Sequence, residues 1–308
     1  MGRGREERCL SEVKQRHIYI AIKECHGEQG FPIETACELF HVARSAYHKW
    51  ASGKLSRRAA ENERLADKIE KIHEKSPDKG YRRLNDDLRH DHDIHVNDKR
   101  VLRICRARDI RSTMKYSNHG CTRQAKSPQY IAENLLNRQF HAAKPNEKWL
   151  TDVTEFKWYE GLEAHKIYLS AILDLCDRRI VSYVLSERND NSLVYKTFDK
   201  AVKVNPGAHP LFHSDRGFQY TGRVFHQKLV QAGMTQSMSR VAHCIDNGPM
   251  EGFWGILKRE RYYGKRFTSK QELIQMIKHY IRYYNTRRVQ RNLGVLTPLE
   301  KHKLCLAA

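Results

Sequence analysis

The order of predicted secondary-structure elements from Lys148 onward is the feature that most limits how this chain can fold. Three strand-like segments come first, WLTDVTEFKWY, HKIYLSAILDLC and RRIVSYVLSE, each rich in β-branched and aromatic residues. A helix over Asn191–Val204 follows, and then a short strand, a helix over 222–232, another short strand and a helix over 247–262. This order predicts an α/β domain whose sheet begins antiparallel and continues parallel.

The first 55 residues instead show helical periodicity. A helix over 6–27 precedes two short helices, Glu34–Phe40 and Arg44–Trp50, which are joined by a tight turn. This spacing is typical of a helix-turn-helix, although any small helical hairpin shares it. The hydrophobic residues expected to hold the helices together are Ala36, Leu39, Val42, Ala46 and Trp50, and those expected to face outward are Arg44, Ser45, His48 and Lys49.

A second helical unit follows, with helices expected over 57–75, 81–90 and 97–108. Pro77 and Gly80 end the first of these helices. The expected buried residues of this second unit are Leu84, Leu88, Val101, Leu102 and Ile104. The basic residues along the last helix of the unit are Lys99, Arg100, Arg103 and Arg106. We therefore predict a second DNA-binding unit.

The positive charge of the chain indicates a polyanionic partner. Fifty-six Lys and Arg against 36 Asp and Glu give a net charge of +20. Residues 255–308 carry thirteen basic and three acidic residues, a net +10, and residues 97–128 carry nine and two, a net +7. The C-terminal stretch also holds five tyrosines, which either stack on nucleic acid or belong to a core. They are Tyr262, Tyr263, Tyr280, Tyr283 and Tyr284.

Other classes of protein fit the sequence poorly. No apolar run reaches the length of a membrane span, and the N-terminus lacks the apolar stretch of a secretory signal, so we expect an intracellular protein without a membrane partner. The eight cysteines form no C-x-x-C pair, which favours reduced thiols. A zinc site built from the histidines and cysteines between residues 90 and 121 has the wrong spacing; these are His90, His92, His95, Cys105 and Cys121.

Three acidic residues stand where strand and helix ends would bring them together. Asp152 lies inside the first strand, Asp215 at the carboxyl end of the fourth, and Glu251 in the first turns of a later helix, with 62 and 35 residues between them. Converging carboxylates suit Mg²⁺, and two such ions can assist phosphoryl transfer. Lys258 is seven residues after Glu251 and shares its helix face, within reach of a bound phosphate.

The residues that flank Asp215 leave their role open. His213, Ser214 and Arg216 could orient this aspartate, contact DNA or pack in the core.

Several motifs in fixed order resemble one known family. WLTDVTEF, HSDRGFQYT, SMSR, DNGPMEGFWGILKRE and YIRYYNTRRVQRNLGVLTP are similar to the OrfB-type catalytic component of insertion-sequence transposases of the IS-three family, whose core is related to retroviral integrases. The resemblance implies an RNase H-like core with a D-D-E triad at Asp152, Asp215 and Glu251, which would also be the metal ligands. The family's lysine after the glutamate corresponds to Lys258.

Together these patterns predict a multidomain fold: N-terminal helix-turn-helix units, an α/β RNase H-like integrase core and a C-terminal basic helical segment. The expected regions are a helix-turn-helix region over 1–55, a second helical DNA-binding unit over 56–110, a basic linker over 111–143, the catalytic core over 144–262 and the basic segment over 263–308.

The resemblance also implies a function. The chain would bind terminal inverted repeats, hydrolyse a phosphodiester with two Mg²⁺ ions per site (Mn²⁺ substituting), and join the freed end to target DNA. Expected DNA contacts are Arg44, Lys49, Lys99, Arg100, Arg103, Lys258, Arg259, Arg287 and Arg288. At least a homodimer on DNA is expected, with an upstream-frame OrfA-type protein as a further partner, in the bacterial cytoplasm at the nucleoid. The alternatives are a non-catalytic DNA-binding regulator or domesticated element protein, and a structure-selective nuclease.

Overall fold

Five strands form one mixed sheet, as the order of elements predicted. In the computed structural model, which describes residues 3–53, 57–114, 129–240 and 244–307, the strand order is β3-β2-β1-β4-β5. The pairs β1–β2 and β2–β3 are antiparallel, whereas β1–β4 and β4–β5 are parallel. The strands are β1 (Lys148–Glu160), β2 (Glu163–Asp174), β3 (Ile180–Ser186), β4 (Leu211–Ser214) and β5 (Thr235–Met238).

The chain divides into two compact units, Met1–Lys68 and Ile69–Ala308. The five finer regions expected from the sequence stay predictions. The helices are α1 (Arg3–Gln29), α2 (Ile33–Leu39), α3 (Arg44–Ala51), α4 (Arg57–Lys75), α5 (Tyr81–His92), α6 (Asp98–Ala107), α7 (Asn191–Val204), α8 (Arg223–Gln231), α9 (Gly248–Leu257), α10 (Lys270–Thr286) and α11 (Pro298–Ala307). None of the described helices combines the length and the hydrophobicity that a membrane span requires.

The first unit contains the predicted helical hairpin, α2 and α3, next to α1. Its buried residues are Tyr19, Ile22, Ala36, Cys37 and Tyr47, with Val42, Ala46 and Trp50 partly buried against them. Leu39 was expected in this core but is 68% exposed. Residues two apart on a helix point about 200° apart. Because Cys37 faces the core, Leu39 faces away from it.

In the second unit, α5 and α6 form the predicted second helical pair. Leu84, Leu88 and Val101 are fully buried between them. The Asn97 side chain caps α6 by accepting a hydrogen bond from the backbone N–H of Lys99 at 2.8 Å. The chain therefore enters α6 in one defined direction.

Helices cover both faces of the sheet. Neighbouring strand residues alternate between the faces, so Trp149 lies in the core against α7 and α8, while Leu150 lies in the core against α9 and α10. Tyr280 and Tyr284 of α10 belong to the second core, which decides between the two roles left open for these tyrosines. The result is a three-layer α/β core with the sheet in the middle.

Candidate active site

The register of β1 and β4 places two of the three predicted carboxylates side by side. Leu150 pairs with His213 in this parallel ladder. Asp152 follows two residues later on β1, and Asp215 follows two residues later just past the end of β4. Both line one pocket at this end of the sheet, together with Tyr168, Asn189, Gln219 and Tyr220.

Hydrogen bonds fix the orientation of both carboxylates. The backbone N–H of Val153 donates to Asp152 Oδ1 at 2.7 Å, and the indole Nε1 of Trp254 donates to Asp152 Oδ2 at 3.0 Å. The backbone N–H of Gly217 donates to Asp215 Oδ1 at 2.9 Å. A Cβ at position 217 would lie 3.0 Å from the same oxygen, which explains the glycine there.

The electrostatics of the pocket disfavour two free negative charges. Burial raises the pKa of Asp152, and the neighbouring Asp215 and then Glu251 raise it further. Burial also raises the pKa of Asp215. The pKa of the buried Tyr220 phenol is raised by burial and by both aspartates, so the phenol is neutral. A cation between the two carboxylates would remove this repulsion.

Glu251 approaches the pair from α9. Glu251 lies in the first turn of the helix, and the residue as a whole is exposed. Partial burial of its carboxyl group, and then the neighbouring Asp215, raise its pKa. The structure therefore brings the third carboxylate within electrostatic range of the other two. Among the described residues, however, no three His, Cys, Asp or Glu side chains lie close enough together to enclose a metal ion.

The donor set fits a divalent metal ion of the hard class. Asp152 and Asp215 offer only carboxylate oxygens, which Mg²⁺ and Mn²⁺ accept as ligands. Burial and the neighbouring Asp215 raise the pKa of Asp152, and a cation bound by both carboxylates would stabilise their ionised forms. The zinc alternative finds no such support, since His90 bonds to Asp91 and Glu300 and Cys105 is buried; Cys121 lies outside the described residues.

Two residues just before α9 anchor it, and the sequence did not single out the first of them. Asp246 is fully buried and accepts hydrogen bonds from Asn134, Arg138 and Arg240 at 2.7–3.1 Å. Hydrogen bonding to Arg240 is the main cause that holds the pKa of Asp246 well below its usual range. Asn247 occupies the cap position as predicted, but its amide donates to the Thr151 carbonyl at 3.1 Å rather than capping the helix.

Hydrogen bonds within the protein hold the residues around Asp215. His213 is fully buried, with its ring nitrogens bonded to the hydroxyls of Ser237 and Ser239. Burial lowers the pKa of His213 to about 4, so the ring is neutral and packs against β5 instead of meeting DNA. Ser214 donates to the Asp215 carbonyl, and Arg216 donates to the Ser239 carbonyl.

The predicted basic contacts near α9 and α10 divide into surface and buried groups. Lys258 is half-buried, with Nζ 5.3 Å from the centre of the Phe156 ring, and Arg259 folds back over Gly255. Arg287 is exposed. Arg288 was expected to contact DNA, but its side chain is 12% exposed and pairs with buried Glu260 at 2.9 Å, which makes it a structural residue.

The predicted contacts in the helical units are mostly at the surface. Lys49 of α3 is exposed, and Arg44 is exposed but pairs with Glu34 at 2.9 Å. On α6, Lys99 and Arg103 are exposed, whereas Arg100 is half-buried. As contacts to DNA, these residues stay predictions.

Comparison with protein families gives three matches. Residues 142–244 and 251–303 each match an integrase core domain, and residues 60–117 match an HTH-like domain. The chain is 37% identical over 275 residues to a putative transposase InsK for insertion sequence element IS150 of Escherichia coli (strain K12), covering 88% of this chain and 94% of the relative. It is 28% identical over 292 residues to transposase InsF for insertion sequence IS3A of the same organism, covering 91% and 96%.

A third relative is an uncharacterized transposase-like protein of Haemophilus influenzae, 41% identical over 210 residues, which cover 67% of this chain and 93% of the relative. Among solved structures, the HTLV-2 integrase catalytic core domain in complex with magnesium is 18% identical with a TM-score of 0.39, covering 52% of this chain and 97% of that one.

Proposed function

Because the chain belongs to the IS-three family of insertion-sequence transposases, which carry a D-D-E integrase core, we propose that Asp152, Asp215 and Glu251 are its catalytic, metal-binding triad. The protein is a DNA transposase, a polynucleotidyl transferase that depends on a divalent metal. The observation that carries this proposal is that Asp152 on β1 and Asp215 just after β4 line the same pocket.

We propose that the substrate is the terminal inverted repeat of the element, followed by target DNA. Hydrolysis of one phosphodiester frees a 3′-hydroxyl at the end of the element. This hydroxyl then attacks the phosphorus of a phosphodiester in the target DNA and displaces one of its ester oxygens. The new ester bond joins the element to the target strand. No serine or tyrosine nucleophile is required, because water and the 3′-hydroxyl are the two attacking groups. Two Mg²⁺ ions, or Mn²⁺ in their place, would activate the attacking oxygen and stabilise the leaving one.

The chain's own residues prepare the site for this reaction. Val153, Trp254 and Gly217 hold the oxygens of Asp152 and Asp215 in place, so the carboxylates need little rearrangement before they act. Lys258 follows Glu251 by seven residues and would bind a phosphate of the DNA end. Exposed Lys99 and Arg103 on α6 would bind the DNA backbone further along the duplex.

The protein would act as a homo-oligomer of at least two copies, because two ends must be joined to one target. An OrfA-type protein is a further proposed partner, and the cytoplasm, where the nucleoid lies, is the proposed place of action. No feature of the described residues favours the alternative of a non-catalytic regulator.

Labelled terminal-repeat DNA and Mg²⁺ provide the test. The parent protein is expected to cut and join the ends, while Asp152→Asn binds the same DNA without cutting it. If the parent protein binds this DNA but neither cuts nor joins it, with Mg²⁺ or with Mn²⁺, the result would favour a non-catalytic DNA-binding regulator. A parent that cuts but never joins would indicate a structure-selective nuclease.

A further inference from the structure

A network of ion pairs connects the α5 region with the segment that follows α9. Arg288 pairs with Glu260, Glu260 with Arg83, Arg83 with Asp78, and Asp78 with Arg261, at 2.8–3.1 Å. The two acidic side chains are almost fully buried, with 2% exposure for Glu260 and 8% for Asp78. Arg83 of α5 and Asp78, which precedes this helix, therefore bind two consecutive residues, Glu260 and Arg261.

Glu260 stands at a core position. The buried residues of α9 recur at Met250, Phe253 and Leu257, and this spacing brings position 260 to the same face. The Glu260 carboxylate is satisfied by Arg83, Arg288 and the hydroxyl of Tyr280, which donates at 2.9 Å. A buried carboxylate with three donors adds directional restraint that an apolar side chain would not.

Glu260 and Arg261 belong to a π-helical turn, Lys258–Tyr262. Its defining hydrogen bond runs from the backbone N–H of Tyr263 to the carbonyl of Lys258 at 2.7 Å. Such turns are rare, and in this one Glu260 and Arg261 are both held by ion pairs to residues outside the turn. Lys258 opens the turn, so its direction depends on how Glu260 and Arg261 are held.

We propose that Glu260 is a positioning residue: Arg83 and Arg288 fix it, and it fixes the turn from which Lys258 reaches the DNA backbone. The inference rests on the proposed role of Lys258 as a phosphate contact. It also means that α5, on the HTH-like part of the chain, and the end of the catalytic helix share one structural element.

Charge makes the test sharp. Glu260→Gln removes a negative charge, which by itself would strengthen binding to DNA. The proposal gives the opposite result: weaker binding to end DNA by about three- to tenfold, and a fall of about one in the slope of log affinity against log salt. The matched control is Glu272→Gln, which makes the same charge change at an exposed residue of α10 and is not expected to weaken binding.

A double-mutant cycle with Lys258→Ala identifies the route. If Glu260 acts through Lys258, then Glu260→Gln weakens binding by less than about twofold in the Lys258→Ala background. Full additivity of the two losses, or an unchanged salt slope in Glu260→Gln, would overturn the proposal.

Hydrogen exchange separates local from global effects. In Glu260→Gln, the amides of 258–263 are expected to exchange about tenfold faster, with those of β1 and β2 unchanged. If this variant unfolds, Arg83→Met decides by the same cycle, because Arg288 and Tyr280 still bond to Glu260 there. A parent that cuts no DNA contradicts the proposed function, whereas the binding cycle still decides the role of Glu260.

Discussion

The indole Nε1 of Trp254 donates a hydrogen bond to Oδ2 of Asp152 across 3.0 Å. Trp254 lies one helical turn after Glu251 on α9, so the helix that carries the third carboxylate is tied to the strand that carries the first. Since this bond orients a proposed metal ligand, its loss is expected to weaken the binding of Mg²⁺ more than it lowers the stability of the fold.

Trp254→Phe keeps most of the buried ring and removes the donor. We expect the Mg²⁺ concentration for half-maximal cleavage to rise about tenfold, because partners that orient metal ligands contribute on this scale. The measurement is single-turnover cleavage of end DNA across a Mg²⁺ titration, and Trp158→Phe, in the β1–β2 hairpin, is the control. Overlapping titration curves for Trp254→Phe and the parent would contradict the prediction.

Asp215→Asn is expected to stabilise the metal-free protein. The raised pKa of Asp152 and Asp215 means that two ionised carboxylates destabilise the fold near neutral pH, and the amide relieves their repulsion. In EDTA at pH 7.5 the Tm should rise by about 2–4 °C for each kcal/mol gained. Mg²⁺ should then raise the Tm of the parent but not that of the variant. A lower Tm for Asp215→Asn in EDTA would refute this account.

Asp246→Asn is expected to destabilise the protein by about 1–3 kcal/mol, because it removes the buried carboxylate with which Arg138 and Arg240 both pair. The pKa of Asp246 is depressed, so its contribution is present above about pH 4, the ordinary carboxyl value, and is lost as the pH falls further. Urea unfolding at pH 7 and at pH 3.5 measures the difference, which should shrink at the lower pH. Asp199→Asn, in an exposed pair with Lys228, is the control and should cost less than about 1 kcal/mol.

Arg103→Ala and Arg288→Ala should separate a DNA contact from a structural arginine. Arg103 is exposed on α6, so its loss is expected to weaken binding on all sequences and to lower the salt slope by about one. Arg288 pairs with buried Glu260, so its loss is expected to lower the Tm. Fluorescence anisotropy over a salt series and thermal unfolding give the two readouts. A Tm for Arg288→Ala equal to that of the parent would count against the structural assignment.

The sheet and the pair of aspartates were accessible from the sequence, because both depend on local patterns. Strands β1 to β3 are long enough to show their composition, and the order of elements gives the parallel half of the sheet. The neighbourhood of Asp152 and Asp215 then follows from strand register alone.

The roles of Glu260, Arg288 and Trp254 could not be found in this way. A basic residue near the C-terminus is usually on the surface, and only a partner 28 residues away makes Arg288 internal. Periodicity places position 260 on the buried face of α9, but it gives no sign that the Glu260 carboxylate is paired there with Arg83, 177 residues away. Trp254 has the apolar character of a core residue, and helical periodicity carries no information about where its indole N–H points.

Asp152 lies on β1, the middle strand of the sheet, with β2 on one side and β4 on the other. A residue so enclosed cannot be moved by lengthening or replacing a loop. The surfaces of α3 and α6, by contrast, can change side chains without disturbing that strand. If α3 and α6 bind the ends as proposed, related insertion elements could acquire new end sequences while they inherit the same cutting chemistry.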